Sequence, residues 1–236
     1  MPISDYSQSG SFHASSPALM AEQSMAAILQ NTFMGDQAVF VFNGFSFSGA
    51  TGEEHRVSHL ILHRWGIYAV ETSVLPPRVT VTKEGRWGYR FEEGCTPMPN
   101  PVSPVVDRLA ALVQVLNLNA YSLLDKAFGL PTYFSGRRFG AFVSIPDDVE
   151  FENQGYLFDS EKLRVATLDP EVTALPGSEL ATALVLILRA YARNSGIGRL
   201  AKSGWGMTPI PGRPFNNSEL SRVAGFLAKC TLPNSA

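Results

Sequence analysis

The sequence has few cysteines and few charged residues. Its 236 residues include two cysteines, Cys95 and Cys230, and only 17% are charged. The cysteines lie far apart without Cys-x-x-Cys spacing, which excludes a disulfide framework and a cysteine zinc site. Two isolated thiols suit a reducing compartment, so a cytoplasmic protein is expected. The formal net charge of −2 excludes a strongly basic protein of the histone type, but it permits a local basic surface.

Long apolar runs are also missing. The longest run, residues 181–188, is interrupted by Thr182 and is much shorter than the roughly 20 residues of a membrane span, so no membrane association is expected. The first residues carry no basic segment followed by an apolar run, so no signal peptide is expected. Residues 1–16 are rich in serine and are predicted to form a mobile tail. The hydrophobic share of 45% is that of an ordinary globular protein.

Residues 17–150 alternate between helical and extended patterns. A helix is predicted over 17–31, with Ser16 as its N-cap and Pro17 at the first helical position. Two apolar strands, 56–63 and 67–72, are joined by a tight turn in which Gly66 is expected to take a positive φ. Further strands are predicted over 38–42 (with an extension towards 47), 79–82, 87–91, 139–145 and 162–166. Further helices are predicted over 103–117, 121–128, 175–193 and 218–229.

This order of elements predicts an α/β domain with a central mixed sheet flanked by helices. The domain is assigned to residues 17–150, and residues 151–236 are predicted to form a C-terminal helical extension packed on it. Two further helices also carry start signals. Ser103 is the predicted N-cap of the second helix, and Asn216 with Glu219 resembles a capping box at the last one.

Glu71 is the first residue that suggests chemistry, because it ends an otherwise apolar strand. Carboxylates at strand ends are ligands that Mg²⁺ prefers, and Mg²⁺ supports phosphodiester cleavage. Taken alone, however, Glu71 is better explained as a solvated residue at a point where the strand has reached the surface.

A wider pattern surrounds Glu71. Residues 55–72, His-Arg-Val-Ser-His-Leu-Ile-Leu-His-Arg-Trp-Gly-Ile-Tyr-Ala-Val-Glu-Thr, resemble the core of the nuclease-related domain (NERD) family. That family pairs an Ile-Asp-His-like triplet with a strand ending in Glu-x-Lys. The resemblance extends over residues 18–148 through Ala21-Glu22, Trp87, Asn100-Pro101 and residues 139–147.

The resemblance implies a restriction-endonuclease-like core of the PD-(D/E)XK group, which binds a divalent metal and cuts nucleic acid. Glu22 matches the helix glutamate of the family, and Glu71 matches the glutamate of Glu-x-Lys. Ser58 stands where the family has aspartate, and Ser73 where it has lysine. Pro104 occupies a position that is often glutamine. The resemblance therefore implies a site of Glu22, Ser58, Glu71 and Ser73, with Glu22 and Glu71 as weak Mg²⁺ ligands.

The two serines decide which function is expected. Serine is a poor Mg²⁺ ligand compared with aspartate, and the missing lysine would have helped to orient the nucleophile. The main hypothesis is a nuclease-related protein that binds or acts on nucleic acid with degenerate, weak or absent phosphodiesterase activity. Two alternatives stay open: an active Mg²⁺-dependent nuclease in which Lys83 or Arg78 replaces the lysine, and a non-enzymatic module that binds a protein partner. The choice between DNA and RNA and the oligomeric state also stay open.

Basic residues suggest where nucleic acid would bind. No acidic residue occurs from Leu180 to Ser218, which favours a phosphate-contacting surface, although a solvated helix face explains the pattern too. The predicted nucleic-acid contacts are Arg137, Arg138, Arg189, Arg193, Arg199 and Lys202. The histidines at positions 55, 59 and 63 are spaced by about 13 Å along a strand, too far apart to share one metal.

Overall fold

The computed structural model describes residues 16–91, 94–126, 132–158, 171–194 and 214–230. Within these ranges the helices are α1 (Pro17–Phe33), α2 (Val102–Leu118), α3 (Ala120–Leu123), α4 (Gly177–Asn194) and α5 (Asn217–Cys230). The strands are β1 (Val39–Ser48), β2 (Glu54–His63), β3 (Gly66–Thr72), β4 (Arg78–Val81), β5 (Trp87–Phe91), β6 (Gly94–Pro97), β7 (Phe139–Ile145), β8 (Glu150–Asn153) and β9 (Glu171–Pro176). None of the helices in the described ranges has the length and apolar character that crossing a membrane requires.

The described strands form two sheets. Five of them make a mixed sheet in the order β1-β2-β3-β7-β9, in which β1 to β3 are antiparallel neighbours. Strands β7 and β9 continue this sheet in parallel with β3. The other sheet has the order β6-β5-β4-β8. The predicted mixed α/β fold is confirmed, and it is consistent with a restriction-endonuclease-like core.

The five-stranded sheet separates two hydrophobic layers. One face packs against α2 and α5, where the buried side chains include Leu109, Leu116 and Val223. The other face packs against α1 and α4, where Leu29, Ile61 and Leu184 are fully buried. A sheet covered on both faces needs apolar residues on both sides of its inner strands. This explains why every residue of β7 is buried.

The alternation of side chains between these layers shifts by one residue within β1 and β2. Phe42 and Phe45 both face the α2 layer, although they are three residues apart. The shift falls at Gly44, whose φ of 61° is in the left-handed region that favours glycine. Ser58 lies opposite Gly44, between the flanking cross-strand pairs of the ladder. The amide of Ser58 makes its hydrogen bond outside the ladder, to the side chain of Glu71.

Two predicted helix starts are confirmed by their hydrogen bonds. The Ser16 Oγ accepts from the Leu19 amide at 3.3 Å, which caps α1. At α5, the Glu219 amide donates to Asn216 Oδ1 at 2.9 Å and the Asn216 amide donates to Glu219 Oε2 at 3.1 Å. These two bonds are the reciprocal pair of a capping box.

Other local predictions were wrong. Helix α2 begins at Val102, before Ser103, because the side chain of Asn100 accepts a hydrogen bond from the Val102 amide at 2.9 Å. Gly66 does not have a positive φ. It is needed for space instead, because a Cβ there would lie 2.7 Å from the carbonyl oxygen of Arg138. Strand β6 is not among the predicted strands.

The C-terminal segment is more than a helical extension. Strand β9 pairs with β7 in the five-stranded sheet, and β8 pairs with β4 in the other sheet. The described part of residues 151–236 therefore completes both sheets and also supplies α4 and α5. Residues 1–15 and the predicted strand over 162–166 lie outside the described residues.

Candidate active site

The structure brings three of the four predicted site residues together at the end of β3. Glu71 lies on β3 itself, Ser58 lies on the neighbouring strand β2, and Glu22 lies on α1, which crosses the sheet nearby. The side chains of Glu22 and Glu71 are each 20% exposed. Ser58 is fully buried between them.

Ser58 is bonded to both glutamates. Its amide donates to Glu71 Oε2, and its hydroxyl donates to Glu22 Oε1, each at 3.3 Å. The same hydroxyl accepts from the amide and the hydroxyl of Thr72 at 3.2 and 3.1 Å. Ser58 therefore occupies the centre of the site as a neutral hydrogen-bonding group, where the family pattern has a charged aspartate.

Arg56 holds the carboxylate of Glu22 with two parallel hydrogen bonds. The Nη1 atom donates to Oε1 at 2.9 Å and the Nη2 atom donates to Oε2 at 2.7 Å. Such a bidentate pair is among the stronger charge-assisted contacts in proteins. Arg56 lies on β2, two residues before Ser58, and its side chain is 52% exposed.

Arg108 makes the corresponding contact with Glu71. Its Nη1 atom lies 2.9 Å from Glu71 Oε2, and its side chain is 32% exposed. Arg108 lies on α2, one helical turn after Pro104. Helix α2 therefore places an arginine beside Glu71, although it lacks the glutamine of the family pattern. Sequence reasoning missed both arginines. The available signal was their spacing: two residues from Ser58 on a strand, and four from Pro104 on a helix.

The charges at the site compensate one another. Burial opposes ionisation of Glu22, but the hydrogen bonds and charge of Arg56 outweigh it and lower the pKa of this carboxyl. The hydrogen bonds that Arg56 donates to Glu22 in turn raise the pKa of Arg56. The two glutamates and two arginines together sum to a charge of zero. This arrangement leaves no excess negative charge to attract a divalent cation.

The fourth predicted site residue is Ser73. It follows the last residue of β3, and its amide donates to the carbonyl oxygen of Ser144 at 3.3 Å.

The two residues proposed as substitutes for the missing lysine belong to β4 of the other sheet and to the turn after it. Arg78 on β4 pairs with Glu150 of β8 at 3.0 Å, and Lys83 is exposed after β4.

The site does not fit the Mg²⁺ that the family pattern implies. The carboxylates of both candidate ligands are already paired with an arginine side chain, and Ser58 supplies no third carboxylate. Within the described ranges, no group of three or more histidine, cysteine, aspartate or glutamate side chains is placed to hold a metal ion. Mg²⁺ prefers near-octahedral oxygen coordination with charged donors.

One histidine lies beside the site. His59 is 1% exposed, and its Nδ1 atom lies 2.8 Å from the side-chain oxygen of Asn43. Burial lowers the pKa of His59 from its usual 6.5 to about 4, although Glu22 acts in the opposite direction. The pKa of His63 is also lowered to about 4 by burial. Both imidazoles are therefore neutral in the folded protein at pH 7.

Acidification from pH 7 to pH 5 is expected to lower the free energy of unfolding by about 2 kcal/mol through His59 alone. The unfolded chain takes up this proton below its usual pKa, whereas the folded protein does not until about pH 4. Urea unfolding at the two pH values would measure the effect. His59→Gln should reduce the pH dependence by that amount. A pH dependence unchanged by His59→Gln would contradict this expectation.

Three of the predicted nucleic-acid residues, Arg137, Arg138 and Arg189, have described side chains. Arg137 is corrected to a structural residue, because it is 2% exposed and its Nη2 atom pairs with the buried Glu219 at 2.9 Å. Arg138 is half-buried and Arg189 is exposed on α4. The side chain of Arg193, together with Arg199 and Lys202, lies outside the described residues.

Comparison with known proteins bears on the same region. A family model described as the nuclease-related domain matches residues 18–130, a span that contains Glu22, Arg56, Ser58, Glu71 and Arg108. Searches of curated proteins and of solved structures returned no match. Residues 18–130 of this chain are therefore similar to the nuclease-related domain family.

Proposed function

We propose that this protein binds nucleic acid through its nuclease-related domain and does not cleave it by a metal-dependent reaction. The observation that carries the proposal is the pairing of each predicted metal ligand with an arginine: Glu22 with Arg56, and Glu71 with Arg108. The similarity to the nuclease-related domain supports nucleic acid as the ligand. The arginine pairs support the loss of metal-dependent hydrolysis.

The loss of hydrolysis follows from the charges that the reaction needs. Metal-assisted cleavage uses a cation to polarise the phosphate and to generate a nucleophile from water. Here each carboxylate is paired with an arginine guanidinium group. Ser73 is neutral at the position where the family has a positively charged lysine. Enzymatic rates fall by orders of magnitude when such groups are removed, because they act as a unit.

Binding is supported by the exposure of cationic groups on the same domain. Arg56 is half-exposed beside the site, and its guanidinium keeps N–H donors beyond the two that Glu22 accepts. Arg108 is one-third exposed. Contacts between arginine and backbone phosphates supply much of the affinity of proteins for nucleic acid without regard to sequence. The free thiols of Cys95 and Cys230 support the further proposal of a cytoplasmic location.

One assay tests binding and cleavage together. The purified full chain is incubated with labelled single- and double-stranded DNA and RNA, in Mg²⁺, Mn²⁺ or EDTA, beside a Glu71→Ala variant. We expect binding that weakens steeply as salt rises, because phosphate contacts release counterions. We expect no metal-dependent cleavage by either protein.

The other outcomes identify the alternatives. Metal-dependent cleavage that disappears in Glu71→Ala would contradict the proposal and indicate an active nuclease with a rearranged site. An absence of binding at low salt would also contradict it, and would favour the protein-interaction module.

A further inference from the structure

We infer that Arg56 and Arg108 are the resident cations of this site: their two guanidinium groups compensate Glu22 and Glu71 in place of a divalent metal ion. The inference concerns the cation and not the nucleic acid. It rests on the same arginine pairs as the proposed loss of cleavage, so its failure would remove the support for that half of the proposed function. Nucleic-acid binding is measured separately, and a failure of binding would not affect the inference.

The carboxylates of Glu22 and Glu71 share one site. Glu22 Oε1 and Glu71 Oε2 each lie 3.3 Å from an atom of the same residue, Ser58. Two carboxylates that share one site repel each other, and one of them takes up a proton unless a cation intervenes. A nuclease of the family pattern would meet this requirement with a divalent metal ion.

The compensating charge at the site comes from the two arginines. Each carboxylate carries one negative charge, and each is bonded to an arginine at 2.7 to 2.9 Å. Arginine stays protonated under all ordinary conditions. Two guanidinium groups supply the same total charge as one divalent ion, and they do so within the chain itself.

The two arginines also exclude a divalent metal ion from the site. A divalent ion at Glu22 and Glu71 would have to displace the guanidinium groups or lie beside them, and like charges at such distances repel strongly. Ser58 adds no negative charge that would favour the metal. The arginines therefore both neutralise the site and keep a metal ion out of it.

Removing the arginines should then uncover a weak divalent-cation site. Arg56 and Arg108 are partly exposed, so neutral replacements leave no large void in the core. The variants are Arg56→Gln, Arg108→Gln and the two combined, in the full chain. The matched control is Arg78→Gln with Arg90→Gln, which removes two exposed arginines paired with Glu150 and Glu152 on the other sheet.

Titration with Mn²⁺, followed by the electron paramagnetic resonance signal of the free ion, measures binding directly. The wild-type chain and the control pair should bind Mn²⁺ no better than about 1 mM. The combined Arg56 and Arg108 variant should bind one ion at least about tenfold more tightly, because two nearby positive charges are gone. Adding Glu71→Gln to this variant should abolish the gain.

Three results would overturn the inference. They are wild-type binding as tight as that of the combined variant, no gain in the combined variant, and an equal gain in the control pair. Circular dichroism confirms folding of each variant. If the combined variant does not fold, the two single variants decide the question, since each should show part of the gain and neither should match the wild type.

Discussion

Glu219→Ala is expected to lower the free energy of unfolding by about 3–5 kcal/mol, because it removes the carboxylate that compensates the charge of the buried Arg137. Arg137 and Glu219 are 2% and 0% exposed, and their side chains are joined at 2.9 Å. Glu219 also accepts from the amides of Asp125 and Asn216 at 2.9 and 3.1 Å. One side chain thus holds the start of α5, the segment after α3 and the segment before β7.

Urea unfolding of the full chain measures the loss. The matched control is Glu179→Ala, because Glu179 also lies in the first turn of a helix but is exposed. It should change stability by no more than about 0.5 kcal/mol. The combined variant Arg137→Met with Glu219→Leu should be less destabilised than Glu219→Ala, since neither charge is then buried alone. Equal losses in Glu219→Ala and Glu179→Ala would refute this account of the pair.

A chain restricted to residues 18–130, the span of the family match, is not expected to fold. Its sheet would lack β7, whose seven residues are all buried between β3 and β9. It would also lack Phe134, Phe215 and Val223, which are buried in the layer against α2. A sheet edge and an apolar face would both be left open to water, and exposed edges of this kind favour aggregation.

Gel filtration, circular dichroism and urea unfolding of this fragment test the expectation, beside a chain of residues 16–230. The longer chain should unfold in one cooperative transition, and the fragment should show none. A cooperative transition in the fragment with native-like secondary structure would contradict the expectation. It would then show that the family match marks a unit that folds independently.

Local patterns predicted much of the fold. The hairpin of β2 and β3, the strand β7 and the helix starts at Ser16 and Asn216 depend on residues close together in the chain. Such signals combine side-chain alternation with capping hydrogen bonds, which are local in origin. The same reasoning missed β6, β8 and β9, because strands of four to six residues carry little pattern. The partners of β8 and β9 are also distant in the sequence, whereas β6 pairs with β5, which directly precedes it.

The site divides in the same way. The resemblance identified Glu22, Ser58 and Glu71, and the structure brings these three residues together. It could not identify Arg56 and Arg108 as their partners, because nothing in the family pattern assigns a role to those positions. Arg137 shows the opposite error. It is predicted from the sequence to contact nucleic acid, but the fold buries its side chain against Glu219.

By itself, the sequence determined the class of fold, the order of the main elements and the absence of the aspartate and lysine of the family pattern. These follow from residue types and from spacing along the chain. Only the tertiary structure decided which cations accompany the two glutamates, and that Arg137 belongs to the core. The reason is physical: an ion pair depends on distances of a few ångströms between residues that the chain separates by 34 positions for Arg56 and Glu22 and by 82 for Arg137 and Glu219.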